Sequence, residues 1–174
     1  MTAVPMAAGD QLAPALPRRL ACFLYEAVLL FGVWWGAGLV YALVTQQHHA
    51  LVGRYGLEAV LFVVFGAYFA WFWTHGGQTL PMQTWHIRLV MQNGRPLSLW
   101  RATARYVCAY LWFMPALISV SAAGLTSRPG VVVSALVANV LAYAALSRLH
   151  PQRQYWHDVV CGTRLVNWQN KARP

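Results

Sequence analysis

"ACFLYEAVLLFGVWWGAGLVYALV", residues 21–44, carries a single charged residue, Glu26. At 1.5 Å per residue such a run spans the ~30 Å hydrocarbon core of a bilayer, which needs about 20 apolar residues. It reads as a transmembrane helix, and the composition of the whole chain agrees. Hydrophobic residues make up 59% and charged residues 10%, where a soluble domain has roughly a quarter of its residues charged. Three further runs qualify, residues 57–73, 106–126 and 131–147, of which the first has Glu58 near its edge and the other two have no charge. The expected fold is an all-α integral membrane protein: a four-transmembrane-helix bundle forming one domain over residues 17–168. A disordered tail is expected over 1–16 and a short tail over 169–174. No separate soluble domain is expected within these 174 residues.

Basic residues set the orientation, because short cytoplasmic loops carry an excess of Lys and Arg. Placing both termini in the cytoplasm puts Arg18, Arg19, the four arginines of residues 88–105 and the five basic residues from Arg148 onward inside. Only Arg54 and Arg128 are left outside. The net charge of +9 is thereby divided among short pieces bordering the spans. That distribution argues against nucleic acid and for anionic lipid head groups, each basic residue gaining about 1 kcal/mol near such a surface. Residues 1–17 lack the basic start and apolar core of a removable signal peptide, so the first span is expected to remain as an anchor. Cys22, Cys108 and Cys161 form no CxxC pair and read as small packing residues.

Between the second and third runs lies "QTWHIRLVMQNGRPLSLWRATAR", residues 83–105. Trp85, Ile87, Leu89 and Met91 alternate with His86, Arg88, Val90 and Gln92, the period of a half-buried strand. Asn93-Gly94 then signals a hairpin turn, and Pro96 restricts any returning strand in "RPLSL" to a short or edge one. A cytoplasmic hairpin is expected over 83–100. "GTRLVNW", residues 162–168, alternates again and is a candidate to join it in a small sheet at the inner membrane face.

"PRRLACFLYE" (17–26), "GGQTLPMQTWHIRLVMQNGRPLSLWRATAR" (76–105) and "YWHDVVCGTRLV" (155–166) together resemble the RDD family, whose signature is an arginine and two aspartates. The resemblance covers residues 17–166. It implies a small polytopic protein of the bacterial inner membrane. Some relatives are linked to cation/proton exchange and others to assembly of membrane complexes. By position, the family arginine falls on the Arg18-Arg19 pair and the second aspartate on Asp158, while Glu26 stands where the first aspartate would be. Pro81 replaces a usual glycine and His86 a frequent arginine.

An ionisable group inside a span is a functional candidate by default. Glu26 therefore has two readings: a structural ion pair, with Arg105 the better-placed partner, or a proton-titrating or cation-binding carboxylate, with Asp158 and Asn139 as helpers. Arg19 lies seven positions before Glu26, but helical side chains lean toward the N-terminus and carry it away. His157 and Asp158, adjacent on a short helix, are expected to point apart. No nucleophile, base and orienting group stand at recognisable spacing, so enzymatic activity is not expected. His48-His49 read as surface histidines, and neither a metal nor another cofactor is expected.

Gly32 and Gly36 form a GxxxG pattern that permits close helix approach. Ser119, Ser121, Ser134 and Asn139 are expected to hydrogen-bond between helices. Pro115 should kink the third span. Residues 71–73, Tyr106, Tyr110 and Trp112 read as an aromatic belt. Two function classes follow: an assembly or interaction component that contacts a second copy or another membrane protein, and a small monovalent cation/proton exchanger.

Overall fold

The computed structural model describes residues 12–46 and 54–168. Helix α1 (Leu16–Thr45) and helix α2 (Arg54–His75) are the first two apolar runs, each extended beyond its hydrophobic limits. After the short helix α3 (Leu80–Thr84) comes strand β1 (Ile87–Met91). Helix α4 (Leu99–Cys108), a 3-10 turn (Ala109–Trp112) and helix α5 (Met114–Ala122) form the third apolar region. Helix α6 (Pro129–Leu146), a 3-10 turn (Ser147–Leu149), helix α7 (Trp156–Val160) and strand β2 (Thr163–Asn167) complete the order. Helices α1 and α2, and α6 with the turn after it, are long and apolar enough to cross a membrane. The pair α4–α5, bent by 43°, is a fourth if counted as one span.

The third span is thus broken rather than continuous, and proline chemistry explains where. Pro115 has no N–H to give the Leu111 carbonyl, the bond an unbroken helix would make. The break falls at Phe113, where φ −128° leaves the helical region. Asn139 of α6 fills the gap, its Nδ2 donating to the Trp112 carbonyl at 2.8 Å and the Leu111 carbonyl at 3.4 Å. Asn139 is thereby a structural donor to the break.

The expected hairpin is not the pairing that forms. β1 runs antiparallel to β2, with Leu89 opposite Leu165 and Met91 opposite Thr163. Residues 92–94 make a tight turn closed by Met91 N–H to the Arg95 carbonyl, but "RPLSL" forms no strand. Both edges of the two-stranded sheet are occupied. Leu89 N–H donates to the Gly77 carbonyl on one side. On the other, the Gln154 side chain accepts from Leu165 N–H and donates to its carbonyl, both at 2.9 Å. The sheet needs no third strand because a turn and a glutamine amide stand in for one.

Gly77 allows that turn. Its φ is +73°, and a Cβ there would collide with the Leu89 carbonyl oxygen. The sheet packs Ile87, Leu89 and Leu165 into one core with Trp73, Tyr106, Trp112 and Tyr155. Three aromatics expected at the membrane interface, Trp73, Tyr106 and Trp112, are thus core residues. Trp71 is exposed.

Candidate functional site

The charged residues of the three motifs converge where the spans meet the sheet. Arg18 and Arg19 are adjacent on α1 and so diverge by about 100° around the helix. Arg18 reaches the sheet: its guanidinium donates to the Trp85 and His86 carbonyls and, at 2.9 Å, to Asn167 Oδ1. It fastens α1 to the residues leading into β1 and to the end of β2. Arg19 turns inward and is only 4% exposed. Its guanidinium lies 4.2 Å above the Tyr155 ring, and Nη2 donates to Ser147 Oγ at 3.2 Å. Its Nε and Nη1 have no hydrogen-bond partner.

Asp158 is fully buried and bound by Arg105, whose Nε donates to Oδ1 at 2.6 Å. The same guanidinium sits 4.3 Å over Trp73. Thr163 Oγ1 is 3.3 Å from Oδ1. Burial alone would raise the Asp158 pKa, but Arg105, the facing His157 and the Thr163 hydroxyl outweigh it and hold the carboxyl below its ordinary range.

His157 does not point away from its neighbour as expected. Its Nε2 is 3.6 Å from Asp158 Oδ1. Tyr143 is responsible: its hydroxyl accepts from the His157 backbone N–H at 3.0 Å and lies 2.9 Å from Nδ1. With the hydroxyl donating to Nδ1, the imidazole proton sits on Nε2, facing the carboxylate. Burial drives the imidazole down to about 4, Asp158 opposing and Arg105 adding to the effect. The ring is neutral at pH 7.

The pairing expected between Glu26 and Arg105 is not formed. Arg105 is taken by Asp158. Glu26 accepts instead from two neutral hydroxyls, Tyr68 Oη at 2.8 Å and Thr79 Oγ1 at 2.5 Å. Thr79 caps α3 and follows the Gly76-Gly77 turn, so the "GGQT" motif delivers a hydroxyl to the first-helix carboxylate. Neither Tyr68 nor Thr79 was a sequence candidate. Thr79 carried a usable signal, standing within the second family motif. Tyr68 carried none beyond lying on an apolar helix.

Arg19, Glu26, Arg105 and His157 line one cavity of about 410 Å³. Its walls are otherwise apolar and mostly aromatic, among them Phe23, Phe69 and Trp112. Gly32 and Gly36 lie outside it. A Cβ on either would touch nothing within 4 Å, so neither mediates close helix packing within this chain. Gly36 faces a shallow groove with Val40 and Val64. Among the described residues no group of three His, Cys, Asp or Glu could hold a metal ion. His48 and His49 fall outside the described residues.

No curated protein and no solved structure gives a match. The family description that fits is "RDD family", over residues 13–162. That match takes in all three motifs up to Gly162, spans well over half of the sequence and contains Arg18, Arg19, Glu26 and Asp158, so the chain belongs to the RDD family.

Proposed function

We propose that the protein is a non-catalytic assembly or interaction component of a bacterial inner membrane, with both termini and the sheet on the cytoplasmic side. The observation that carries this reading is the engagement of the motif charges. Arg18 ties α1 to β2 and to the residues leading into β1, and Asp158 ties α7 to α4 through Arg105. Each contact joins elements distant in sequence, as a fold lock does. Among the described residues, no carboxylate lies on the spans between Glu26, near the start of α1, and Glu58, near the start of the antiparallel α2. Proton relays through membrane proteins are built from chains of such groups. The partner, a second copy or another membrane protein, is expected on α1, where Gly32, Gly36 and Gly38 meet no side chain of this molecule. A photocrosslinking residue at position 36, in native membranes, should give a discrete protein adduct that the same probe at exposed Val133 of α6 does not. Lipid adducts alone at both positions would overturn the reading.

One observation favours a second reading, monovalent cation/proton exchange: Glu26 faces a cavity with neutral hydroxyls, not an arginine, on its oxygens. Proton flux in proteoliposomes after Na⁺, K⁺ or Li⁺ pulses tests it. Cation-dependent flux abolished by Glu26→Gln would establish exchange, and no flux above empty liposomes would remove it.

A further inference from the structure

The cavity lining is of two unlike kinds. Arg19 is only 4% exposed, and two of its nitrogens lack a hydrogen-bond partner. A buried guanidinium in that condition is costly unless an acceptor, best an anion, completes it. Glu26 does not serve, since it lies seven residues along α1, roughly 10 Å away at 1.5 Å per residue, and already accepts from Tyr68 and Thr79. Asp158 is held by Arg105. The other kind of lining is hydrocarbon-like, with Phe65, Phe69, Tyr110 and Phe113. At about 410 Å³ the cavity falls within the ~300–1,000 Å³ range of small-molecule sites, which are typically apolar with a few placed polar groups.

The cavity also reaches the surface of the spans. Ala27, one of its lining residues, is exposed, and Leu30 and Phe113 are half-buried. This opening lies between α1 and the break in the third span, both apolar enough to cross a membrane, so in a bilayer it would face lipid. A ligand arriving there comes from the bilayer.

We propose that this cavity binds a single-chain acidic amphiphile, its phosphate or carboxylate head on Arg19 and its hydrocarbon chain among the aromatic side chains. The site selects for both parts at once. A free anion lacks the apolar half, and a neutral amphiphile leaves Arg19 without its acceptor.

Three probes separate these contributions in binding measurements on the full chain in mild detergent: dodecyl phosphate, dodecanol and inorganic phosphate. The expected result is saturable binding of dodecyl phosphate at one equivalent, at least tenfold tighter than either other probe. Arg19→Gln should weaken it at least tenfold. Ala109→Phe, which fills the cavity and leaves every charge in place, should do the same and covers the case in which Arg19→Gln does not fold. Inorganic phosphate binding as tightly as dodecyl phosphate would overturn the proposal in favour of a free-anion site. Equal binding of dodecanol would reduce the cavity to an apolar void. Dodecyl phosphate binding untouched by Ala109→Phe would mean partition onto the surface, and would overturn it as well.

Discussion

Asp158→Asn and Glu26→Gln each remove one negative charge from the same region, yet their costs should differ. The first leaves Arg105 buried without its anion, a loss of about 3–5 kcal/mol. The second keeps an acceptor for Tyr68 and a partner for Thr79, and should cost about 1 kcal/mol. Thermal unfolding in detergent checks this; equal losses would contradict the neutral setting assigned to Glu26. His157 sets an acid limit. Its pKa is near 6.5 unfolded and about 4 folded, so the unfolded chain binds the extra proton first. Its contribution is complete above pH 6.5 and falls as pH drops toward 4, by about 3 kcal/mol in all. Asp158, held below its ordinary 3.8, adds a further loss below that value. In His157→Gln the melting temperature should change less between pH 6.5 and 4 than in the native protein. An unchanged slope would place the acid sensitivity elsewhere.

At the scale of elements, the two strands depend on side chains and turns rather than on a third strand. Gly77 and Gly94 both have positive φ, +73° and +74°, but only Gly77 has a backbone oxygen where a Cβ would go. Gly94→Ala should cost about 1–2 kcal/mol for the left-handed backbone alone, and Gly77→Ala distinctly more, as read from melting temperatures. Gln154→Ala strips both partners from the Leu165 backbone, about 1–3 kcal/mol for each group left unsatisfied, and should speed hydrogen exchange at the Leu165 amide. Alternation from residue 85 to 92 made β1 legible in the sequence, and hydropathy made the spans legible. The hairpin expected at Asn93-Gly94 did not form, but the alternation of residues 162–168 had marked β2 as a candidate for the same sheet, and β2 is the strand that pairs with β1. Gln154, Tyr68 and Thr79 were not sequence candidates. Their roles depend on which backbone or carboxylate folding brings to them; Thr79 was marked only by its place in the second motif, and nothing local marked Gln154 or Tyr68. The Arg18-Arg19 ambiguity is of the same kind: only packing decides which of two adjacent arginines faces inward.

The motif charges Arg18, Arg19, Glu26, Arg105 and Asp158 gather at the sheet end of the molecule, with Glu58 and Arg128 toward the other. If the sheet end is cytoplasmic, as proposed, a cysteine placed at Gly94, where the surroundings are open, should react with an impermeant maleimide in inverted vesicles. It should not react in right-side-out ones. The reverse pattern would turn the molecule over in the membrane and with it the proposed site of partner contact. Membership in the RDD family was legible from three motifs. The cavity was not, because its lining comes from α1, α2, the broken span and the sheet together.

The pairing of β1 with β2 also has a meaning in time. Thr163 leaves the ribosome roughly 70 residues after Met91, a lag on the order of 4–14 s at 5–20 residues per second. During that interval β1 has its Gly77 edge covered and its other edge open, while Arg105 waits for a carboxylate not yet made. A nascent chain stalled before residue 158 would therefore be an unfinished lid over the bundle, and a natural substrate for membrane quality-control proteases.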